Sequence, residues 1–164
     1  MIVIRRYEDE DWKDLWPILK NVFREGETYP FLPEITERES HDVWVVEPIA
    51  TFVALNEDHR IVGTYYIKPN QPGLGSHVCN CGYIISESSR CKGVGRTMCH
   101  HSQEEAKKLR FRAMQFNLVV STNEHALDLW QKLGFQVIGL LPEAFKHSKH
   151  GYVDALVMYK KLYE

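Results

Sequence analysis

The fold is decided by the stretch Arg90-Cys91-Lys92-Gly93-Val94-Gly95-Arg96. It follows a β-rich segment at residues 77–85 and opens a helical segment at residues 93–109. Glycine lets the backbone approach a ligand closely and adopt unusual angles. The first N–H groups of a helix lack partners within the helix and lie at the positive end of its dipole. We therefore predict an anion site, suited to a pyrophosphate and surrounded by three basic side chains.

Two other phosphate-binding loops do not match this stretch. A P-loop requires G-x-x-x-x-G-K-[ST], which is absent. A dinucleotide-binding fold carries G-x-G-x-x-G directly after its first strand, whereas Gly93 and Gly95 lie in mid-chain without a third glycine. An ordinary tight turn also remains compatible with a basic Gly-x-Gly at a helix start, so this loop needs a second motif to identify it.

Composition narrows the class of protein. A chain of 164 residues fits one core, so residues 1–164 are predicted to form a single domain. A hydrophobic content of 44% argues against disorder, and a formal net charge of -2 gives no reason to expect a nucleic-acid partner. No apolar run predicts a membrane helix, and the N-terminus lacks the order of a signal peptide. We expect a cytoplasmic protein without a membrane partner.

Hydrophobic periodicity predicts seven strands and four helices. Pro17 is expected to kink the first helix, and Gly26 is expected to end it. The order is strand, two helices, three strands, helix, strand, helix, two strands. This order predicts an α/β (α+β) fold with a mixed sheet and helices on its faces. The predicted strands span residues 2–6, 50–55, 60–68, 77–85, 113–120, 135–140 and 153–162, and the predicted helices span residues 9–24, 34–45, 93–109 and 123–133.

Cysteines and histidines raise the alternative of a zinc site. The candidate ligands are His77, Cys79, Cys81, His100 and His101, and two further cysteines are Cys91 and Cys99. The spacing is C-x-C, without a second C-x-x-C or an H-x-x-x-H. We therefore expect no metal, and we expect the cysteines to be reduced thiols that are buried or line a pocket.

Two motifs together resemble one family. Arg90-x-x-Gly93-x-Gly95, after Gly82-Tyr83-Ile84-Ile85, resembles the acetyl-CoA motif (Q/R)-x-x-G-x-(G/A) of the GCN5-related N-acetyltransferases (GNAT). The segment Asn123-Glu124-His125-Ala126-Leu127-Asp128-Leu129-Trp130-Gln131-Lys132-Leu133-Gly134-Phe135 is similar to the second signature of that family, N-x-x-A-x-x-x-[aromatic]-x-x-x-G-F. The two motifs have a family-like separation with the expected strand between them.

The resemblance implies a fold and an acetyl-CoA site. Two parallel central strands, at residues 77–85 and 113–120, would splay apart in a mostly antiparallel sheet. In the family the pantetheine arm pairs with main-chain groups of the first strand, which here are those of Tyr83, Ile84 and Ile85. Asn123 would contact the pantetheine, or only cap its helix, or do both, and Trp130 would pack against the cofactor or the core. The pyrophosphate would lie beside Arg90 on the N–H groups of Cys91, Lys92, Gly93, Val94, Gly95 and Arg96.

A closer likeness concerns the acceptor. Lys68-Pro69-Asn70, Ser76-His77-Val78-Cys79-Asn80 and Phe116-Asn117-Leu118-Val119-Val120-Ser121-Thr122-Asn123 resemble fungal acetyltransferases of L-azetidine-2-carboxylate and related proline analogues. The likeness implies that Asn80 and Asn117 line the acceptor site for a small-molecule amine, and that a homodimer is compatible with the chain. Asparagine is poor in strands and costly to bury unpaired, which favours this role over two satisfied buried amides.

The expected chemistry departs from the family at one position. The resemblance implies direct attack of an amine on the thioester, with a main-chain N–H near Ile84 holding the oxyanion. Trp130 stands at the position of the tyrosine that usually acts as the general acid, and an indole cannot take that role. The remaining candidates for the acid are water and Tyr83, or the leaving thiolate is stabilised by desolvated hydrogen bonding alone. Cys81 or Cys91 as a nucleophile lacks a visible partner histidine.

Other interpretations stay open. The loop Glu27-Thr28-Tyr29-Pro30-Phe31 either shapes the acceptor pocket or packs between helices. The alternative functions are acetylation of a protein N-terminus or lysine, and a non-catalytic acetyl-CoA-binding module.

Overall fold

The computed structural model describes residues 1–163, which form a seven-stranded sheet with helices on both faces. The strand order is β1-β2-β3-β4-β5-β7-β6, and β4 and β5 are the parallel pair in an otherwise antiparallel sheet. This architecture confirms the mixed sheet predicted from the sequence. The strands are β1 (Val3–Arg6), β2 (Ala50–Leu55), β3 (Ile61–Pro69), β4 (Val78–Ile85), β5 (Ala113–Val120), β6 (Gln136–His147) and β7 (Gly151–Lys161), and the helices are α1 (Trp12–Glu25), α2 (Glu37–His41), α3 (Val94–Lys108) and α4 (Glu124–Lys132).

Two apolar cores lie on opposite faces of the sheet because strand side chains alternate between faces. Helix α1 buries Leu15, Leu19 and Phe23 against one face, where Tyr66 and Ile84 lie. Helices α3 and α4 pack on the other face. The sheet contributes these residues to that core: Phe52, Ala54, Tyr65, Ile67, Cys79, Cys81, Met114, Phe116 and Met158. We call these the α1 face and the α3 face.

Helix α1 starts and stops for local reasons. A short 3-10 turn, Asp9–Asp11, precedes it, and the carboxylate of Asp11 accepts two hydrogen bonds of 2.7 Å from Arg5. Pro17 lies within its second turn, where the missing N–H costs one helical hydrogen bond. Gly26 ends it in the left-handed conformation with φ 65°, as the sequence predicted.

Two elements end more than three residues away from the predicted position. The predicted helix at residues 34–45 is a single turn, Glu37–His41, which continues into a π-type turn, Asp42–Val46. Strand β6 continues to His147, although Pro142 indicates the end of a strand. The register of β6 against β7 shifts between Leu141 and Phe145, and this irregularity accommodates the proline.

The turn between β6 and β7 is attached to the loop after α1. The N–H of Ser148 donates a 3.0 Å hydrogen bond to the carbonyl of Gly26. The ammonium of Lys149 forms an ion pair with Glu27. These contacts fix the loop at residues 26–33 against the sheet. Within residues 1–163, no helix combines the length and the apolar character needed to cross a membrane.

Candidate active site

The two parallel strands pair only at their beginnings. Val78 lies opposite Ala113 and Cys79 lies opposite Met114, but β4 continues to Ile85 and β5 to Val120 without further pairing. Beyond Cys79 the two backbones therefore separate and leave a V-shaped gap open on one edge of β4. The splayed pair that the family resemblance implied is present.

The register of β4 shows which main-chain groups face this gap. The N–H of Ser86 bonds to the carbonyl of Val62, and the N–H of Asn70 bonds to the carbonyl of Val78. Antiparallel pairs alternate between hydrogen-bonded and non-bonded, and no irregularity interrupts β3 against β4. Even-numbered residues of β4 therefore bond to β3, and odd-numbered residues direct their N–H and C=O groups into the gap.

This alternation corrects the expectation for Ile84. Ile84 lies opposite Thr64 in a bonded pair, so its N–H belongs to the ladder with β3. Its side chain is buried on the α1 face. The main-chain groups that face the gap are those of Tyr83 and Ile85, and any oxyanion donor from β4 is one of their N–H groups.

The basic loop meets the gap at the start of α3. Gly93 is the N-cap of this helix and supplies no side-chain cap, so the N–H groups of the first turn are available to a ligand. Cys91 also has a positive φ of 61°, which turns the chain sharply before the helix. Arg90 lies 3.5 Å from Glu25, while within residues 1–163 Lys92 and Arg96 form no ion pair.

The two glycines of the loop serve different purposes. Gly93 has φ 81° and open space around it, so its requirement is conformational. A Cβ on Gly95 would lie 3.1 Å from Ile85 Cδ1 and 3.1 Å from Leu129 Cδ2. Gly95 therefore lets α3 pack closely on β4 and α4, and it brings the helix start to the open edge of β4. The sequence did not distinguish these two roles.

Asn123 and Trp130 both take structural roles in this arrangement. Asn123 Oδ1 accepts a 3.3 Å hydrogen bond from the N–H of Ala126, which caps α4. Trp130 is buried, and its ring centroid lies 4.9 Å from that of Tyr83 and 5.1 Å from that of Phe116. Trp130 thus packs into the core below the gap, beside the expected pantetheine path.

A chain of amide hydrogen bonds crosses the gap on the α1 face. Asn80 Nδ2 donates to the carbonyl of Gln115 at 3.0 Å. Gln115 Nε2 donates to Asn117 Oδ1 at 3.0 Å, and Asn117 Nδ2 donates to Asn70 Oδ1 at 2.7 Å. The structure thus connects Asn80 to Asn117, the two asparagines singled out in the sequence.

The two asparagines differ in exposure. Asn80 is buried, whereas Asn117 is exposed. In β5, Asn117 and Leu118 lie together opposite a single residue of β7, at a register shift between Phe116 and Val119. Such a bulge turns a side chain away from the regular pleat. The interpretation of Asn117 as a buried amide is therefore wrong, because the bulge presents it to solvent.

Sequence reasoning missed Tyr66 and Gly82. The hydroxyl of Tyr66 donates to Asn80 Oδ1 at 3.2 Å. A Cβ on Gly82 would lie 2.6 Å from Tyr66 Cε1, so glycine at this position is what lets the ring lie over β4. The sequence does not relate a tyrosine in one strand to a glycine in another. The relation appears only once the register of β3 against β4 is known.

Tyr29 was also missed as an individual residue. Its hydroxyl donates a 2.8 Å hydrogen bond to the carbonyl of Tyr83, one of the groups that face the gap. Its ring packs on Phe23, Phe31 and Trp44, with centroid separations of 6.0, 6.2 and 5.5 Å. The loop at residues 26–33 thus packs between elements and also contacts the open edge of β4. Burial raises the pKa of Tyr29 well above its usual value.

The buried thiols lie on the α3 face, away from the amide chain. Cys79, Cys81 and Cys99 are buried and free, and Cys91 is exposed. Burial raises the pKa of Cys81 well above its usual value and that of Cys99 to about 11. A raised pKa removes the thiolate that a nucleophile requires. Among residues 1–163, no three His, Cys, Asp or Glu side chains converge as metal ligands.

Comparison with known proteins agrees with this arrangement. Residues 12–135 match the model of the acetyltransferase (GNAT) family. The N-acetyltransferase aca1 of Schizosaccharomyces pombe is 33% identical in an alignment of 148 residues that covers 80% of this chain and 71% of that protein.

Solved structures share the whole fold. A GCN5-related N-acetyltransferase from Kribbella flavida is 40% identical, with a TM-score of 0.92 over 98% of this chain and 97% of that one. A phosphinothricin acetyltransferase from Sinorhizobium meliloti, solved in complex with AcCoA, is 19% identical, with a TM-score of 0.85 over 98% of this chain and 88% of that one. The second likeness concerns the fold alone. On the family match and the aca1 identity, the chain belongs to the acetyltransferase (GNAT) family and is an N-acetyltransferase.

Proposed function

We propose that this enzyme transfers the acetyl group of acetyl-CoA directly to the amine of a small molecule, an amino acid or a proline analogue. The observation that carries the proposal is the junction of an uncapped helix start with an open strand edge. Gly93 begins α3 without a side-chain cap, and Gly95 holds that helix against Ile85, the last residue of the open edge.

This junction fits the two chemically different parts of CoA. A pyrophosphate is an anion, and helix N–H groups with Lys92 and Arg96 nearby favour it. The pantetheine arm carries amide groups, which can pair with the main-chain groups of Tyr83 and Ile85 as an added strand would. Arg90, Cys91 and Val94 belong to the loop between these parts, and Asn123 and Trp130 of α4 would lie beside the donor arm.

The acceptor would approach from the α1 face. There the side chains of Asn80 and Asn117 offer amide donors and acceptors, and the loop around Tyr29 closes over the same face. The loop is attached to the turn after β6 through Ser148 and Lys149. Amide groups beside a fixed loop suit a small polar amine better than an extended peptide.

Acetyl transfer forms a carbon–nitrogen bond and breaks a carbon–sulfur bond. The bound thioester supplies an activated acetyl carbon. The neutral amine nitrogen forms a bond to this carbon and loses one proton to water, while the carbon–sulfur bond breaks and the sulfur leaves with the electron pair. The thiolate then takes up one proton, by way of water, to give the free thiol of CoA. The residues of this chain orient the two substrates, exclude water and stabilise charge on the carbonyl oxygen.

The proposal is tested by an acceptor screen with free-CoA release as the readout. Proline analogues, amino acids, aminoglycosides, polyamines and peptides are compared at equal concentration. Turnover with a small amino acid above that with any peptide supports the proposal. A preference for peptides would contradict the small-molecule acceptor and indicate a peptide acceptor instead. Binding of acetyl-CoA without thiol release against any amine would indicate a non-catalytic module.

Three further expectations stay predictions. They are a single domain over residues 1–164, a cytoplasmic location and a homodimer. The edge strand β6 exposes Val137, Ile138 and Leu140 at 42%, 57% and 56% of their surface, which is a feature that a second copy could cover. Light scattering during size-exclusion chromatography measures the mass of the particle and separates 19.2 kDa monomers from dimers.

A further inference from the structure

The hydroxyl of Tyr29 lies at the middle of the open edge of β4. Tyr29 donates its hydrogen bond to the carbonyl of Tyr83, and that carbonyl points into the gap. Along the same edge, the N–H groups of Tyr83 and Ile85 flank this carbonyl, because odd-numbered residues of β4 all face the gap. The Tyr29 hydroxyl therefore lies among the main-chain donors that a bound acyl group would meet.

Along β4, this hydroxyl lies on the side of Ile85 away from the basic loop, which is the direction in which the donor arm would extend from the pyrophosphate. Ile85 is the end of the open edge that lies beside Gly95. Tyr83 lies two residues, about 7 Å, from Ile85 towards the start of β4. Tyr29 approaches the edge from the α1 face, where it packs on Trp44, and Trp44 in turn packs on Tyr66 at 4.8 Å. Tyr29 is thus connected through Trp44 and Tyr66 to the amide chain of Asn80.

The other tyrosine hydroxyls near the sheet centre are engaged elsewhere. Tyr83 Oη lies 2.7 Å from Ser102 Oγ, and Tyr65 Oη lies 2.6 Å from His101 Nδ1, both on the α3 face. Tyr66 donates to Asn80. Trp130, at the position of the usual tyrosine, has no hydroxyl. Among these groups, Tyr29 is the one whose hydroxyl contacts the open edge.

Tyr29 is also held in place before any ligand binds. Three aromatic rings surround it, and its loop is fixed by the left-handed Gly26 and by Ser148. Because the ring is fixed, only the hydroxyl proton has to turn from the Tyr83 carbonyl to a ligand, which keeps the cost of reorganisation small. Its raised pKa keeps the proton on the oxygen, so it acts as a hydrogen-bond donor rather than as an acid.

We propose that Tyr29 is a catalytic residue whose hydroxyl donates a hydrogen bond to the acetyl oxygen of the bound donor. In this role the hydroxyl moves its hydrogen bond from the Tyr83 carbonyl to the acetyl oxygen, and the Tyr83 carbonyl becomes free to pair with the donor arm. No proton leaves Tyr29 in the step. The negative charge that the carbonyl oxygen gains as the carbon–nitrogen bond forms is stabilised by this donor together with a main-chain N–H of β4. This inference rests on the proposed use of acetyl-CoA.

The test uses Tyr29→Phe, which keeps the ring and its packing and removes only the hydroxyl. The first readout needs no acceptor: the infrared band of a 13C-labelled acetyl carbonyl is recorded in acetyl-CoA bound to the protein. We expect the band to lie at lower frequency with the wild type than with Tyr29→Phe. The second readout is turnover with the best acceptor, and kcat is expected to fall about 10²–10³-fold, the usual cost of losing one oxyanion donor. KM for acetyl-CoA is expected to change less than about threefold.

Tyr65→Phe is the matched control, because it removes a buried tyrosine hydroxyl from the opposite face of the sheet. It should leave the carbonyl band unchanged. An unchanged band in Tyr29→Phe overturns the inference, whether kcat is kept or lost, because loss of kcat alone would then reflect altered structure. Failure of the wild type to bind acetyl-CoA is a separate result that contradicts the proposed function itself.

Discussion

The side-chain nitrogen of Asn80 donates a 3.0 Å hydrogen bond to the main-chain carbonyl of Gln115, at the point where β4 and β5 part. One strand thus reaches the other through a side chain after the backbone pairing has ended. The same amide accepts from Tyr66 through Oδ1. Asn80 is therefore both part of the candidate acceptor site and a brace that sets the opening of the gap.

Replacing Asn80 with alanine should reduce turnover more than acetyl-CoA affinity. We expect kcat to fall about 10²-fold through misplacement of the acceptor, with the Kd of acetyl-CoA changed less than about threefold. The free energy of unfolding should fall by about 1–3 kcal/mol, because the Gln115 carbonyl and Tyr66 hydroxyl lose their partner. Steady-state kinetics, calorimetric titration and denaturant unfolding measure the three quantities.

Tyr66→Phe is the companion variant, because it removes the donor to Asn80 but keeps the bond to Gln115. A smaller loss of turnover than in Asn80→Ala is expected. Equal losses of turnover and acetyl-CoA affinity in Asn80→Ala would mean that Asn80 is a structural brace only.

Replacing Gly93 with aspartate should weaken acetyl-CoA binding at least tenfold, or about 1.4 kcal/mol. The new carboxylate would stand at the start of α3, where the pyrophosphate is proposed to lie. Gly93→Asn is the matched control, since both residues tolerate the left-handed φ of 81° and differ in charge. Calorimetric titration of both variants with acetyl-CoA isolates the charge. Equal acetyl-CoA affinities of the two variants would contradict the proposal that the pyrophosphate binds at this loop.

Replacing Trp130 with phenylalanine should keep kcat within about threefold of the wild type. Trp130 packs against Tyr83 and Phe116 and supplies no proton, so the cost should appear in stability. Truncation of a buried tryptophan to alanine typically costs about 3–5 kcal/mol, and we expect the free energy of unfolding to fall by less than that in Trp130→Phe. Collapse of turnover with normal acetyl-CoA binding would instead give the indole a direct part in the reaction.

A thiol reagent at pH 8 should modify one cysteine rapidly and three slowly. Cys91 is exposed in the loop, whereas the pKa of Cys99 is raised to about 11, so roughly 0.1% of that thiol is ionised at pH 8. The thiolate is the reacting form, so raising the pH towards 11 should speed the slow phase. Cys91→Ser should abolish the fast phase, and acetyl-CoA should slow it in the wild type. A fast phase insensitive to acetyl-CoA would separate Cys91 from the cofactor site.

The sequence predicted the elements that have strong local signals. Strand β2 and strand β5 have the predicted bounds, and Gly26 ends α1 as expected. Amphipathic periodicity, caps and glycine breaks act over a few residues, so they are visible in one dimension. The end of β6 was missed because a proline that ends most strands is accommodated by a register shift against β7.

The candidate site shows the same division. The basic loop and the capping Asn123 are local features, and the sequence placed both at helix starts. The direction of each N–H in β4 depends on pairing with β3, so Ile84 could not be separated from its neighbours without the register. A shift by one residue would exchange the groups that face the gap.

The sequence by itself determined the family, the order of strands and helices and the position of the basic loop proposed to bind an anion, because each follows from residue types at short spacings. Only the tertiary structure decided that Tyr83 and Ile85 face the gap, that Tyr29 reaches the same edge, and that Asn80 spans the parting strands. Tyr29 and Tyr83 are separated by 54 positions in the chain, and Asn80 and Gln115 by 35. Contacts of that separation depend on how the sheet is paired and how helices pack on it, which no local pattern encodes.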